Sequence, residues 1–377
     1  MTCQKPHVAF SAGALSPGGV ETHVRILALH LRRAQAAVRI YGTGCQWQTT
    51  TVVQLKQAGV RFLIPPAALA HAPALGKAWA SLHWRLNRPT GTTSLYAVGV
   101  GRSHALLKRL APADVISIYH EIVSPPSPRS MAADCLRLMD VALANSNRVA
   151  RDMTGICPAK PIRTIPFLTA EEGMSAPAAR SAVGTRPLQV GYLGRLEKRK
   201  RPDVLVREWM RMTKRPSLSP AVLHFYGDDH GSGMRTELES YVDAQGLTAR
   251  IQVHGPYLHS ELPEILSTLD LVVLPSEWEG LPLVLIEAMQ QGVPFVATAV
   301  GGTAELGQDN PDVIVTGVEW EAFETGLVEM AARLRAGQVD AVRLHAWVEP
   351  RYGFETVAKQ WQSALLESKA FFGLADC

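Results

Sequence analysis

The sequence predicts an α/β protein built from two doubly wound parallel-sheet domains, and three observations carry that prediction. Apolar segments of about five residues alternate with amphipathic segments of about ten, the pattern a doubly wound sheet needs. The alternation breaks at a polar stretch before residue 187 and restarts at LQVGYLGRL. At 377 residues the chain is also longer than one hydrophobic core usually grows.

The first set opens with HVAFSA, the Gly-rich turn ALSPGGVET and the amphipathic HVRILALHLRR: a strand, a loop and a helix. VRIYGTG follows at once as a second strand, and VRFLI, DVISIYH and VALANS are later ones. TAEEGMSAPAARSAVGTRP, residues 169–187, has no apolar period and reads as an interdomain linker. The second set runs LQVGYLGRL, a helix around Asp203 to Met212, AVLHFYG, a helix from Met234 to Gln245, and RIQVHG. It continues with ELPEILSTL, DLVVLP, PLVLIEAMQQG and PFVAT, each in strand–helix alternation. The domains expected are residues 1–175 and 186–352, with a helical segment at about 353–377 outside the sheet pattern that packs back on the first.

Composition narrows the class. A hydrophobic content of 47% with 19% charged residues is ordinary for a soluble enzyme, and no apolar run reaches the eighteen residues of a membrane span. The N-terminus lacks a basic-then-apolar export pattern, so a cytoplasmic protein is expected. Five cysteines, odd in number and without a CxxC, argue against a disulfide framework or a zinc site. The net charge of +4 hides an asymmetry: residues 1–183 hold 20 Lys/Arg against 8 Asp/Glu, and residues 184–377 hold 18 against 26. Such imbalance fits an anionic partner for the first half, or simply a well-solvated basic domain.

Glu279 and Glu287, in EGLPLVLIEAM, are the carboxylates to explain. Pro282 suits the first turn of a helix, so the helix is expected to start near Leu281 or Pro282, with Glu279 in the loop ahead and Glu287 in the second turn. The pair then flanks a helix N-terminus at the carboxyl end of a parallel strand, a favourable place for phosphate. Spacing alone leaves open the commoner alternative, a loop acid and an ordinary helix glutamate. GRLEKRKRP supplies Arg195, Lys198, Arg199, Lys200 and Arg201 in an otherwise acidic half, which favours an anion site over a solvated turn. SPGGVETH opens a helix with the Gly18 and Gly19 pair, and YHEIVSPP places His120 at a strand end. VGVGRSH has His104 where a dinucleotide fingerprint needs its third glycine, so it reads as a turn. KAWASLHWRLNR spaces Trp79, Leu82, His83 and Leu86 on one helical face beside Lys77, Arg85 and Arg88. Core packing is the commoner explanation of that stripe, and membrane-interface contact the other.

Together GGVETH, YHE, GRLEKRKRPD, HGPYLHSELPEIL and LPSEWEGLPLVLIEAMQQGVPFVATAVGGTAEL resemble the retaining GT-B glycosyltransferases of glycosyltransferase family 4. The match spans nearly the whole second half and two short segments of the first. IPFLTAEE, residues 165–172, departs from it where relatives have an Asn-Gly turn. The resemblance implies a GT-B fold, with two Rossmann-like domains facing a cleft. It implies a UDP- or GDP-hexose donor, no cofactor beyond that substrate, no metal, and a glycan or lipid-linked acceptor in bacterial surface polysaccharide or lipopolysaccharide synthesis. It further implies that Glu279 contacts the donor sugar and Glu287 the ribose, while Arg195 and Lys200 grip the diphosphate. The backbone of Gly280, Leu281, Pro282, Leu283 and Val284 would bind sugar and phosphate. Gly18 and Gly19 would close over the donor, His120 would face the reacting sugar or acceptor, and Tyr257 would lie in the nucleobase pocket. The chain has no Asp-x-Asp pair of the metal-dependent enzymes. On this expectation the basic first domain rests on the inner face of an anionic membrane, and no nucleic acid is involved. A sugar-nucleotide 2-epimerase of the same architecture and a non-catalytic nucleotide-binding module are the alternatives.

Overall fold

The computed structural model describes residues 6–12, 19–42, 49–63, 73–87, 92–99, 102–121, 129–169 and 182–374. Gly18, Arg88 and most of the linker run, residues 170–181, lie outside them. The chain divides into two compact units, Met1–Glu172 with Phe354–Cys377, and Gly173–Gly353.

In the first unit the elements follow as β1 (His7–Ala12), α1 (Gly19–Arg33), β2 (Ala37–Gly42), α2 (Thr49–Gln57), β3 (Arg61–Leu63), α3 (Pro73–Asn87) and β4 (Thr92–Val98). Then come α4 (Arg102–Leu110), β5 (Ile116–Glu121), α5 (Met131–Leu138), β6 (Val141–Ala144), α6 (Asn147–Ile156) and β7 (Ile162–Thr164). The second unit runs β8 (Leu188–Leu193), α7 (Pro202–Met212), β9 (Ala221–Tyr226), α8 (Met234–Ala244), β10 (Ile251–Gly255), α9 (Leu262–Thr268) and β11 (Leu271–Leu274). It ends with α10 (Leu283–Gln290), β12 (Phe295–Thr298), α11 (Thr303–Leu306), β13 (Ile314–Thr316), α12 (Trp320–Arg335) and α13 (Ala341–Tyr352). The chain then returns to the first unit as α14 (Phe354–Leu366) and α15 (Ser368–Phe372).

Both sheets are parallel and doubly wound, in the orders β3-β2-β1-β4-β5-β6-β7 and β10-β9-β8-β11-β12-β13. Central strands are buried throughout, as in β1, β5, β11 and β12, because helices cover both faces. The edge strands β10 and β13 show exposed or half-buried residues instead. Helix starts follow local chemistry: Pro202 occupies the first turn of α7, and the Asp340 carboxylate caps α13 by accepting from the amides of Val342 and Arg343. The second unit has one apolar core around Tyr192, Trp209, Phe225, Phe295 and Phe323.

The expected strand order of types holds, but β4, β7 and β13 went unforeseen. β4 begins Thr-Thr-Ser, a polar start that looks like loop; the hydroxyls of Thr93 and Ser94 donate to the carbonyl of Leu365 on α14, a partner 271 residues away from Ser94. Two further expectations need correction. Pro282 caps α10, which starts at Leu283, because its extended backbone (ψ 106°) precedes the helix and does not join it. The stripe on α3 does not form core: Leu82 and Leu86 are exposed, and Trp84 on the opposite side is the buried anchor.

Candidate active site

The switch point of the second sheet lies between β8 and β11, where successive strands are added in opposite directions. Loops leaving the carboxyl ends of such a strand pair are where doubly wound sheets bind ligands. The loop after β8 carries Arg195 and Lys200; the loop after β11 carries Glu279 and leads into α10. The amide of Glu277 donates to the carbonyl of Arg199 at 2.7 Å, which ties the two loops together.

Lys200 and Glu279, expected at the diphosphate and the sugar, meet. Nζ of Lys200 lies 2.5 Å from Oε1 of Glu279, with side chains only 11% and 9% exposed. Ser276, fully buried, donates its hydroxyl to the same carboxylate oxygen at 2.8 Å. The Thr298 hydroxyl in turn donates to the Ser276 carbonyl. Gly301 fits the close approach of its loop: at φ 56° a Cβ would lie 2.0 Å from the carbonyl oxygen of Glu279, and Gly302 N–H donates to the Gly280 carbonyl. Gly227 does the same beside β8, where a Cβ would fall 1.8 Å from the Gly194 carbonyl oxygen.

Arg195 is the outer cation. It is half exposed and pairs with Glu197 at 2.8 Å. Burial pushes the Glu197 carboxyl up, but Arg199, Arg195 and Lys200 outweigh it and hold the group below the usual range. The hydroxyl of Tyr192 donates to the Arg195 carbonyl at 2.8 Å and fixes the loop backbone. Helix α10 has no side-chain cap; the Leu285 amide turns back to the Pro282 carbonyl at 3.1 Å, so the amides of Leu283 and Val284, with the helix dipole, are the ones that suit an anion. Gly280 and Leu281 are buried at its entry and Leu283 and Val284 are half-buried.

Glu287, in the second turn of α10, is paired with His259, whose Nε2 is 2.9 Å from Oε1. Tyr257 is close by: burial first, and the Glu287 charge second, push its hydroxyl well above the usual range. Tyr257, His259 and Glu287 therefore form one group beside α10. His259 and Ser276 were not foreseen. His259 stands inside the HGPYLHSELPEIL segment, where its spacing to Glu287 carries no local signal.

In the first unit His120 is the penultimate residue of β5 and is fully buried. Around it stand His23, Tyr96, Phe167 and Trp361, with ring centroids 4.7 to 6.0 Å from its own. The hydrogen bonds here have one consistent direction. Leu168 N–H donates to His23 Nδ1 at 3.1 Å, so a neutral His23 carries its proton on Nε2. That proton goes to the Tyr96 oxygen at 3.1 Å, leaving the Tyr96 hydroxyl to donate to His120 Nδ1 at 2.8 Å. His120 is thereby left with its proton on Nε2, which has no partner among the described residues. Both rings stay neutral: burial lowers His120 to about 3, and burial, then the neighbouring His120, lowers His23 well below its ordinary value. Gly19, at the start of α1, is exposed. His104, which breaks the fingerprint at 98–104, is a buried strut between Ser11, 2.7 Å from Nδ1, and the Gly99 carbonyl. No group of three or more potential metal ligands occurs among the described residues.

Residues 187–333 match the family described as glycosyl transferases group 1. The chain is 33% identical over 221 residues to the lipopolysaccharide core biosynthesis mannosyltransferase LpsB of Rhizobium meliloti, covering 57% of this chain and 58% of that one. It is 30% identical over 190 residues to a D-inositol 3-phosphate glycosyltransferase of Corynebacterium urealyticum, covering 48% and 44%. The chain thus spans about half the length of these curated relatives. Among solved structures, Alr3699/HepE of Anabaena in complex with UDP-glucose superposes with a TM-score of 0.72 at 18% identity, over 95% of this chain and 99% of that one. Two parallel-sheet Rossmann-like units with these neighbours give the chain the GT-B fold, and its second unit carries the group 1 match.

Proposed function

We propose that this protein is a metal-independent, retaining glycosyltransferase that moves a hexose from a UDP- or GDP-sugar to a hydroxyl of a glycan or lipid-linked saccharide. The pathway proposed is bacterial surface polysaccharide or lipopolysaccharide synthesis, at the inner face of an anionic membrane. One observation carries the reading: a buried Lys200–Glu279 pair beside the uncapped N-terminus of α10, at the switch point of the sheet. The Rhizobium relative is a lipopolysaccharide core mannosyltransferase and the Anabaena structure holds UDP-glucose, which supports a nucleotide-sugar donor.

On this reading the diphosphate sits against α10, where Lys200 and Arg195 and the first-turn amides oppose its charge. A hydrogen bond to a charged group contributes about 1.5–3 kcal/mol and a helix dipole about 0.3–1 kcal/mol. Glu287 holds the ribose hydroxyls, Tyr257 flanks the base, and Glu279 orients the sugar without attacking it. The acceptor oxygen bonds to the anomeric carbon as the carbon–oxygen bond to phosphate breaks. The acceptor's proton passes to the departing phosphate oxygen on the same face, which retains configuration. His120 is the first-unit residue assigned to face the reacting sugar or acceptor, and the Tyr96 hydroxyl fixes its proton on Nε2.

A thermal-shift panel of UDP-, GDP- and ADP-sugars tests the reading. A UDP- or GDP-sugar raises the melting temperature, because it binds only the folded state. Absence of a shift with every donor, or unchanged kinetics in both Glu279→Gln and Lys200→Ala, would overturn it.

A further inference from the structure

Helix α3 carries three leucines on the side turned away from its own core. At 100° per residue, Leu75, Trp79, Leu82 and Leu86 lie within an arc of about 60°, with Trp84 on the far side. Trp84 is fully buried; its ring stands 4.8 Å from that of Tyr41, in a cluster with Leu95 and Leu107. That anchor points the stripe outward: Leu75 is 57% exposed, Leu82 52% and Leu86 71%. Nine large apolar residues are exposed among the described residues, and these three share one helix. A contiguous exposed stripe of this kind marks a surface that another apolar phase covers.

Charge identifies that phase. Between Glu21 and Asp114 there are 12 Lys/Arg and no Asp or Glu. Arg85 is exposed on the flank of the stripe, and Arg109 is exposed on α4, the helix packed against α3. An apolar stripe beside exposed cations, in a stretch of sequence without acids, complements a bilayer with anionic headgroups, which offers an apolar layer under a negative surface. A protein partner would have to supply both in one groove. No helix among the described residues is long and apolar enough to cross a membrane, so the contact is interfacial.

We propose that α3 is the membrane-contacting element of this protein, lying in the plane of an anionic bilayer with Leu75, Leu82 and Leu86 inserted and Arg85 at headgroup level. The proposal deepens the reading of the basic first unit as membrane-facing and rests on it. Flotation of the full chain with vesicles of phosphatidylcholine alone, or mixed with phosphatidylglycerol, tests both. The wild type floats with the mixed vesicles, and the Leu82→Glu/Leu86→Glu double variant loses at least about tenfold in partitioning, through lost apolar burial and added negative charge. Leu86→Lys, which removes apolar surface but adds a cation, also weakens partitioning, separating insertion from charge attraction. Retained binding to mixed vesicles by both variants overturns the role of α3 while leaving the basic-surface reading. No preference of the wild type for anionic vesicles overturns both. A wild-type dimer that the double variant turns into monomer, with no vesicle binding, overturns the proposal in favour of a second copy as occupant. Melting temperatures of the variants near wild type confirm that they fold, as expected for exposed positions.

Discussion

Replacing Lys200 by alanine strands the carboxylate of Glu279 at 9% exposure, 2.5 Å from where its cation was. Removing one member of a buried pair costs about 3–5 kcal/mol, since the remaining charge is left uncompensated in a poorly solvated place. Ser276 still donates to the carboxylate, which keeps the cost toward the lower end. The unit that melts, Gly173–Gly353, has about 180 residues, for which each kcal/mol moves the midpoint by about 2–4 °C. Lys200→Ala should therefore lower the midpoint of this unit by roughly 6–20 °C. A double-mutant cycle with Glu279→Ala should return a coupling of at least about 2 kcal/mol, because the double variant no longer buries a lone charge. The exposed pair Arg207–Glu237, at 2.9 Å with side chains 54% and 45% exposed, is the internal control. Its cycle should return no more than about 1 kcal/mol. Scanning calorimetry of the full chain measures both. A coupling for Lys200–Glu279 no larger than the control's would refute the claim that the fold holds Glu279 in place before any substrate arrives.

Long-range proton–nitrogen NMR of histidine-labelled protein should show His23 and His120 protonated on Nε2; a His120 proton on Nδ1 contradicts the network. Tyr96→Phe should lower kcat more than it raises KM, since it frees the His120 tautomer without touching the second unit. Acid should destabilise the first unit. With His120 at about 3 when folded and 6.5 when unfolded, its contribution is full above pH 6.5 and is lost as pH falls from 6.5 toward 3. The loss is about 1.4 kcal/mol per pH unit for this residue, so denaturant unfolding near pH 5 should show it, and His120→Asn should flatten the slope. Deleting Phe354–Cys377 should abolish the melting transition of the first unit and spare that of the second. The deletion removes Trp361, which packs on His23 and Tyr96 and donates to the Pro166 carbonyl at 2.8 Å. Two intact transitions would contradict that.

Much of this protein is legible without coordinates. The period of apolar residues places ten strands and most helices, because a strand buried on both faces must be apolar along its length. The frame DLVVLP–Glu279–PLVLIEAM puts a carboxylate, a proline and a helix start in one short segment, where local backbone rules suffice. The segments that escaped are those whose stability comes from afar. β4 starts with hydroxyl residues whose partners are distant carbonyls, His7 on β1 and Leu365 on α14, and β7 and β13 are three-residue edges with too few apolar positions to form a period. Nothing local tells Lys200 that its partner stands 79 residues on, or that Tyr96 will separate two histidines. The α3 stripe shows the same limit from the other side. Its periodicity says that Leu75, Trp79, Leu82 and Leu86 share a face, but not which face meets the core, and a single tryptophan seated against Tyr41 turns that face outward. Hydrophobic pattern specifies which residues lie together on an element; which neighbour each element meets depends on contacts made across the whole chain.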